Sequence, residues 1–207
     1  MRRALTGGIP RALTGGGSEG NERLTALTGA VLVVLLAAIG LTILRLRTTL
    51  LWVHLFVGML LIGPVALKLA STGYRFVRYY THDPVYRGKG PPAAYLRALG
   101  PVVVLTTFVV FASGVALLLA GPSARGALLP VHKVSFILWL GVTGLHVLGH
   151  LPEMAQAMGV RPLLGSPGGS GRALALVAAL VVGLVLAVTL IPDFAPWLHY
   201  HRFAADR

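Results

Sequence analysis

LLPVHKVSFILWLGVTGLHVLGHL, residues 128–151, decides the fold. The run holds one lysine and no acid. A helix rises 1.5 Å per residue, so this run is long enough to cross the ~30 Å hydrocarbon core of a bilayer. Pro152 closes it and Gly121-Pro122 precedes it. Its polar side chains are few, and three are histidines: His132, His146 and His150.

Four further runs of the same kind lie outward from it, at residues 24–44, 50–70, 99–120 and 173–191. Each is close to the ~20 residues that a membrane helix needs. The expectation is an all-α integral membrane bundle of about five transmembrane helices, with four of them forming the core. Residues 1–23 read as a flexible tail, because RALTGG occurs at residues 3–8 and again at 11–16 and gives little to pack. Residues 24–192 form the bundle and 193–207 a second tail. The first run is longer than a signal-peptide core, and we read it as retained. Residues 71–92 read as an aromatic interfacial loop, and 153–171 as a second loop.

Composition agrees with this reading. Of 207 residues, 56% are hydrophobic and 12% charged, against ~25% charged in a typical soluble domain. The net charge is +12. The basic residues sit in tails and loops between apolar runs, which points to anionic lipid headgroups and away from nucleic acid. The 18 basic residues divide about two to one between the two faces, with Arg75, Arg78, Arg87, Lys89 and Arg97 on the richer side. By the positive-inside rule the chain is a multi-pass protein of the cell membrane, with its N-terminus cytoplasmic and its C-terminus outside.

The chain has no cysteine, so disulfides, thiolate-held iron–sulfur clusters and thioether-attached haem are excluded. All six acids lie outside the apolar runs. Ion-coupled carriers usually rely on a buried carboxylate, so a small transporter is the weakest functional class here.

Histidine placement carries the functional signal. A histidine facing lipid is costly, so those in the runs should face the bundle interior. His132 and His146 are fourteen positions apart, which puts them on nearly one helix face and ~21 Å apart. His54 lies near the start of the second run, at the depth of His132, since the second and fourth runs cross in the same direction. Two imidazoles from facing helices are an axial ligand set for haem iron. Gly58, one turn beyond His54, leaves space for a porphyrin edge. His146 and His150 could ligate a second haem, bind another metal, or hydrogen-bond a quinone. Lys68, fourteen positions after His54, reads as a snorkelling interfacial lysine. Arg75 and Arg78 suit lipid phosphate or a haem propionate.

VHLFVG at residues 53–58, TGYRFVRYY at 72–80 and HKVSFILWLGVTGLHVLGH at 132–150 resemble the membrane b-type cytochromes of respiratory formate dehydrogenases and nickel–iron hydrogenases. The resemblance covers about half the chain. It implies a four-helix haem-bearing core, with His54 and His132 as ligands of one haem b and His146 as a ligand of a second. It also implies a partner redox subunit and a quinone or other carrier as acceptor. In that family the fourth ligand lies on the first helix, and here that helix has no histidine. The expectation is therefore one haem b, with His54, His132 and His146 as candidate metal ligands and no catalytic residue of the chain's own. The competing class is a haem-free membrane scaffold or assembly protein, whose histidines bond to neighbouring helices.

Overall fold

The computed structural model describes residues 17–44, 50–88, 90, 93–159 and 167–205. The repeats at residues 3–16, and eight of the 18 basic residues in the charge argument (Arg2, Arg3, Arg11, Arg45, Arg47, Lys89, Arg161 and Arg207), lie outside them.

Among the described residues every regular element is helical. The helices are α1 (Ser18–Ile43), α2 (Leu51–Tyr80), α3 (Pro84–Arg87), α4 (Ala94–Ala120), α5 (Arg125–Gly159), α6 (Gly169–Thr189) and α7 (Ala195–Ala205). Five of these, α1, α2, α4, α5 and α6, are long and apolar enough to cross a membrane. In hydrocarbon no water can satisfy backbone N–H and C=O groups, so each crossing segment closes its own hydrogen bonds as a helix. Val34, Phe108, Ile137, Leu148 and Leu174 are exposed on the outside of the bundle, as a lipid-facing surface requires.

Three boundaries differ from the sequence expectation. The second crossing helix does not end at residue 70 but continues to Tyr80, so the first ten residues of the expected loop are helical. At 30 residues α2 is ~45 Å long and projects beyond the hydrocarbon. Pro152 lies inside α5, which runs on to Gly159. Membrane helices tolerate proline because neighbouring groups satisfy the freed carbonyl. Residues 18–23, assigned to the tail, form the first turns of α1.

The end of α2 has a definite cause. His82 adopts φ 66°. The Asp83 N–H donates to the Arg78 carbonyl at 3.1 Å, and the His82 N–H to the Tyr79 carbonyl at 3.3 Å. This pair of bonds is a Schellman stop, with histidine where glycine is usual. Asp83 then caps α3, its Oδ1 accepting from the Val85 N–H at 2.9 Å, and it pairs with Arg78.

Helices α1, α2, α4 and α5 form a ring of antiparallel neighbours, with α2 and α5 on a diagonal whose backbones scarcely touch. Helix α6 packs on the outside of α2. That crossing is backbone on backbone. A Cβ on Gly63 would collide with the Ala179 carbonyl, and one on Gly183 with the Leu60 carbonyl. Small residues drive such contacts in membranes, where the hydrophobic effect does not. One end of the bundle is closed by α7 and the turn before it. Phe194 and Trp197 pack with Met59, Leu118 and Ala187, and the Trp197 indole donates to the Leu118 carbonyl.

Candidate functional site

His54 enters the site from the first turn of α2. Its Nδ1 lies 2.9 Å from Thr42 Oγ1 near the end of α1. The Thr42 hydroxyl donates its own hydrogen to the Ile39 carbonyl, so its oxygen accepts from His54. The proton therefore sits on Nδ1 of His54. His132 enters from the second turn of α5. Its Nδ1 lies 3.1 Å from the Val110 carbonyl oxygen and 3.2 Å from Ser113 Oγ, both on α4. A carbonyl can only accept, so this imidazole also carries its proton on Nδ1. Among the described residues neither Nε2 makes a hydrogen bond. The two rings come from the diagonal helices at one end of the bundle, within electrostatic reach of each other.

Space for the His132 ring is made by Gly114. A Cβ there would stand 3.0 Å from His132 Cε1. Gly58, the glycine expected to clear room, instead faces Ile39 of α1 in ordinary contact, at 3.7 Å for the same construction. Just beyond His132, the Trp139 indole donates to Thr107 Oγ1 at 2.9 Å and locks α5 to α4.

The other histidines gather at the opposite end. The rings of His146 and His150 are 4.7 Å apart and inclined at 64°. His146 lies within electrostatic reach of Lys68, and its Nδ1 is buried with no hydrogen-bond partner. Lys68 does not snorkel outward: its Nζ donates to the Thr25 carbonyl of α1 at 2.7 Å. Arg75 lies 3.9 Å from Glu22 in a half-exposed ion pair, so its nearest charge belongs to the chain itself. His54, His132 and His146 are thus divided between two ends and do not form one group. Among the described residues no cluster of three or more His, Asp or Glu side chains could hold a metal.

At that same end the Arg78 guanidinium lies 5.9 Å from the Tyr74 ring centre and 6.0 Å from that of Tyr86. Burial, reinforced by the neighbouring Tyr74, pushes the Tyr86 phenol up to about 12. Arg97 of α4 donates to Tyr80 at 3.0 Å.

The donor chemistry of His54 and His132 is of a kind that haem iron accepts. Metal-bound histidines almost always donate their second ring nitrogen to a carbonyl, carboxylate or other fixed acceptor. Both rings do so, and each leaves Nε2 for a metal. His146 lacks such an acceptor, so the ring expected to hold a second haem has no comparable support. Sequence reasoning missed Thr42, Ser113 and Gly114. The signal for them was small and hydroxyl residues in otherwise large apolar runs. Comparison with protein-family models, curated proteins and solved structures yields no match to this chain.

Proposed function

We propose that the chain is a membrane electron carrier in which His54 and His132 hold one haem b through their Nε2 atoms. One observation carries the reading: two imidazoles on diagonal helices are each fixed through Nδ1 at one end of the bundle. When bound, the haem supplies reversible one-electron transfer. Thr42 and the Val110 carbonyl set the tautomer and orientation of each ring and raise its basicity as a ligand. Gly114 keeps the His132 ring unobstructed. The apolar spans exclude water and carboxylates from around the site.

In this reading a partner redox subunit exchanges electrons with the carrier, and a quinone or second carrier completes the path. The basic face is cytoplasmic, and the α7 end of the bundle, with His54 and His132, lies toward the outer face of the cell membrane. The test is a dithionite-reduced minus oxidised spectrum of the purified chain. The reading expects haem b absorbance that is lost in both His54→Ala and His132→Ala.

The same contacts favour a second reading, a haem-free scaffold. Thr42 and the Val110 carbonyl give each histidine a structural hydrogen bond without any metal. A colourless, stably folded protein whose variants differ only in stability would support it.

A further inference from the structure

We propose that Arg97 and Tyr80 bind the phosphate of an anionic phospholipid, whose acyl chain lies along exposed stripes of α2 and α4 beneath them. Only the membrane reading is needed for this; haem is not. The two side chains come from different helices and are bonded to each other. The Arg97 guanidinium donates to the Tyr80 hydroxyl at 3.0 Å. That bond uses one of five guanidinium donors, and Tyr80, as acceptor, keeps its own hydrogen to donate. Both residues are exposed, so two sets of donors stand side by side with an open approach. Among the described residues no carboxylate lies within ion-pair distance of Arg97. Arg75 and Arg78 differ in this, since Glu22 and Asp83 pair with them.

Depth identifies the anion. Helix α4 has 27 residues and is ~40 Å long, the thickness of a bilayer with its headgroups. Arg97 lies in its first turn, hence at headgroup level, and Tyr80 shares that level through their bond. The anion that membrane lipid presents there is phosphate, and the guanidinium fork matches its paired oxygens. A zwitterionic headgroup carries its own cation to compete with Arg97, whereas an anionic one does not.

The surface beneath suits the rest of a lipid. Helix α2 runs toward this end of the bundle and α4 away from it, so steps back from Tyr80 and forward from Arg97 both lead into the hydrocarbon. Phe76 and Gly73 lie four and seven positions before Tyr80, and Pro101 and Leu105 four and eight positions after Arg97. Such spacings keep each set on the helix face that carries its donor. All four are exposed, Phe76 at 60% and Leu105 at 65%. The Phe76 ring lies 4.5 Å from that of Tyr80, and the space beside Gly73 is open. A chain hanging from a phosphate at Arg97 therefore meets apolar surface on both helices. A free phosphate ion gains nothing from those stripes.

The experiment uses the full chain in dodecyl maltoside, with bound lipid counted by native mass spectrometry. Phosphatidylglycerol and phosphatidylcholine with the same acyl chains are titrated separately. The expected result is a first phosphatidylglycerol site about tenfold tighter than any phosphatidylcholine site. Arg97→Gln should weaken that site about tenfold, and Arg97→Lys by less, because an ammonium keeps the charge and loses the fork. Arg87→Gln removes an equal charge from an exposed residue at the same end of the bundle, and should leave the affinity within about twofold. Tyr80→Phe removes the second donor and should weaken binding about threefold or more; it takes the place of Arg97→Gln if that variant does not fold. Inorganic phosphate at the same concentrations should not displace the lipid. Equal binding of the two lipids, equal loss in Arg87→Gln and Arg97→Gln, undiminished binding by the folded variant, or displacement by inorganic phosphate overturns the proposal.

Discussion

Nδ1 of His132 on α5 points at the carbonyl oxygen of Val110 on α4, 3.1 Å away. A backbone acceptor cannot be removed by mutation, so the tautomer of this ring is fixed by the fold. The corresponding acceptor for His54 is a side chain, Thr42, and that one can be removed.

Thr42→Val keeps the shape of the side chain and deletes its oxygen. Loss of a group that orients a metal-bound histidine typically costs 10–100-fold in affinity. The expected outcome is haem release about tenfold faster than wild type, followed by transfer of haem to apomyoglobin. Ser113→Ala should have a smaller effect, because Val110 still accepts from His132.

Gly114→Val places a branched side chain against the His132 ring, where a Cβ alone already stands at 3.0 Å. The ring must turn away from Val110. Haem content of the purified variant should fall well below that of Gly58→Ala, whose new methyl meets only Ile39 in ordinary contact.

At the α2–α6 crossing, Gly183→Ala forces two backbones apart. Overpacking of this kind costs about 1–3 kcal/mol, read as a lower unfolding midpoint in a detergent–denaturant titration. Gly141→Ala is the control. No heavy atom lies within 4 Å of its added carbon, and alanine is the better helix former, so its midpoint should not fall below the wild type.

Tyr86 predicts a pH signature. Its phenol is pushed up to about 12, chiefly by burial, whereas an unfolded tyrosine titrates near 10. For an acid raised in the folded state, the associated stability is complete below pH ~10 and is lost as pH rises through about 12. Phenolate absorbance at 295 nm should therefore show one tyrosine titrating late, and Tyr86→Phe should remove that step. A Tyr86 that titrates with the exposed tyrosines would count against the packing of α3.

His82 occupies a left-handed position that costs a non-glycine residue about 1 kcal/mol. His82→Gly should raise stability by up to that amount in the same denaturant titration, without changing helix content by circular dichroism.

The five spans were legible because lipid imposes one rule on every segment, and hydropathy reads it directly. Helix ends were less legible. Apolarity marks where the bilayer stops, while the helix stops where its capping stops. Residues 71–80 lose their apolar character yet keep helical bonding until His82 reverses the chain. Pro152 was misread for the same reason, since a proline removes one bond without ending the helix. That His54 and His132 lie at one end of the bundle followed from depth and direction. Their acceptors did not, because Thr42 and Val110 are far from them in sequence and meet them only through the ring of helices. Lys68 was read as reaching outward because spacing along α2 cannot reveal the Thr25 carbonyl across on α1.

The central claim is tested most directly by counting haem b per polypeptide with pyridine haemochrome in the wild type, His54→Ala, His132→Ala and His146→Ala. The account predicts one haem per chain in the wild type and in His146→Ala, and almost none in the other two variants. A folded wild-type chain without haem, or full haem content in His54→Ala, would contradict it.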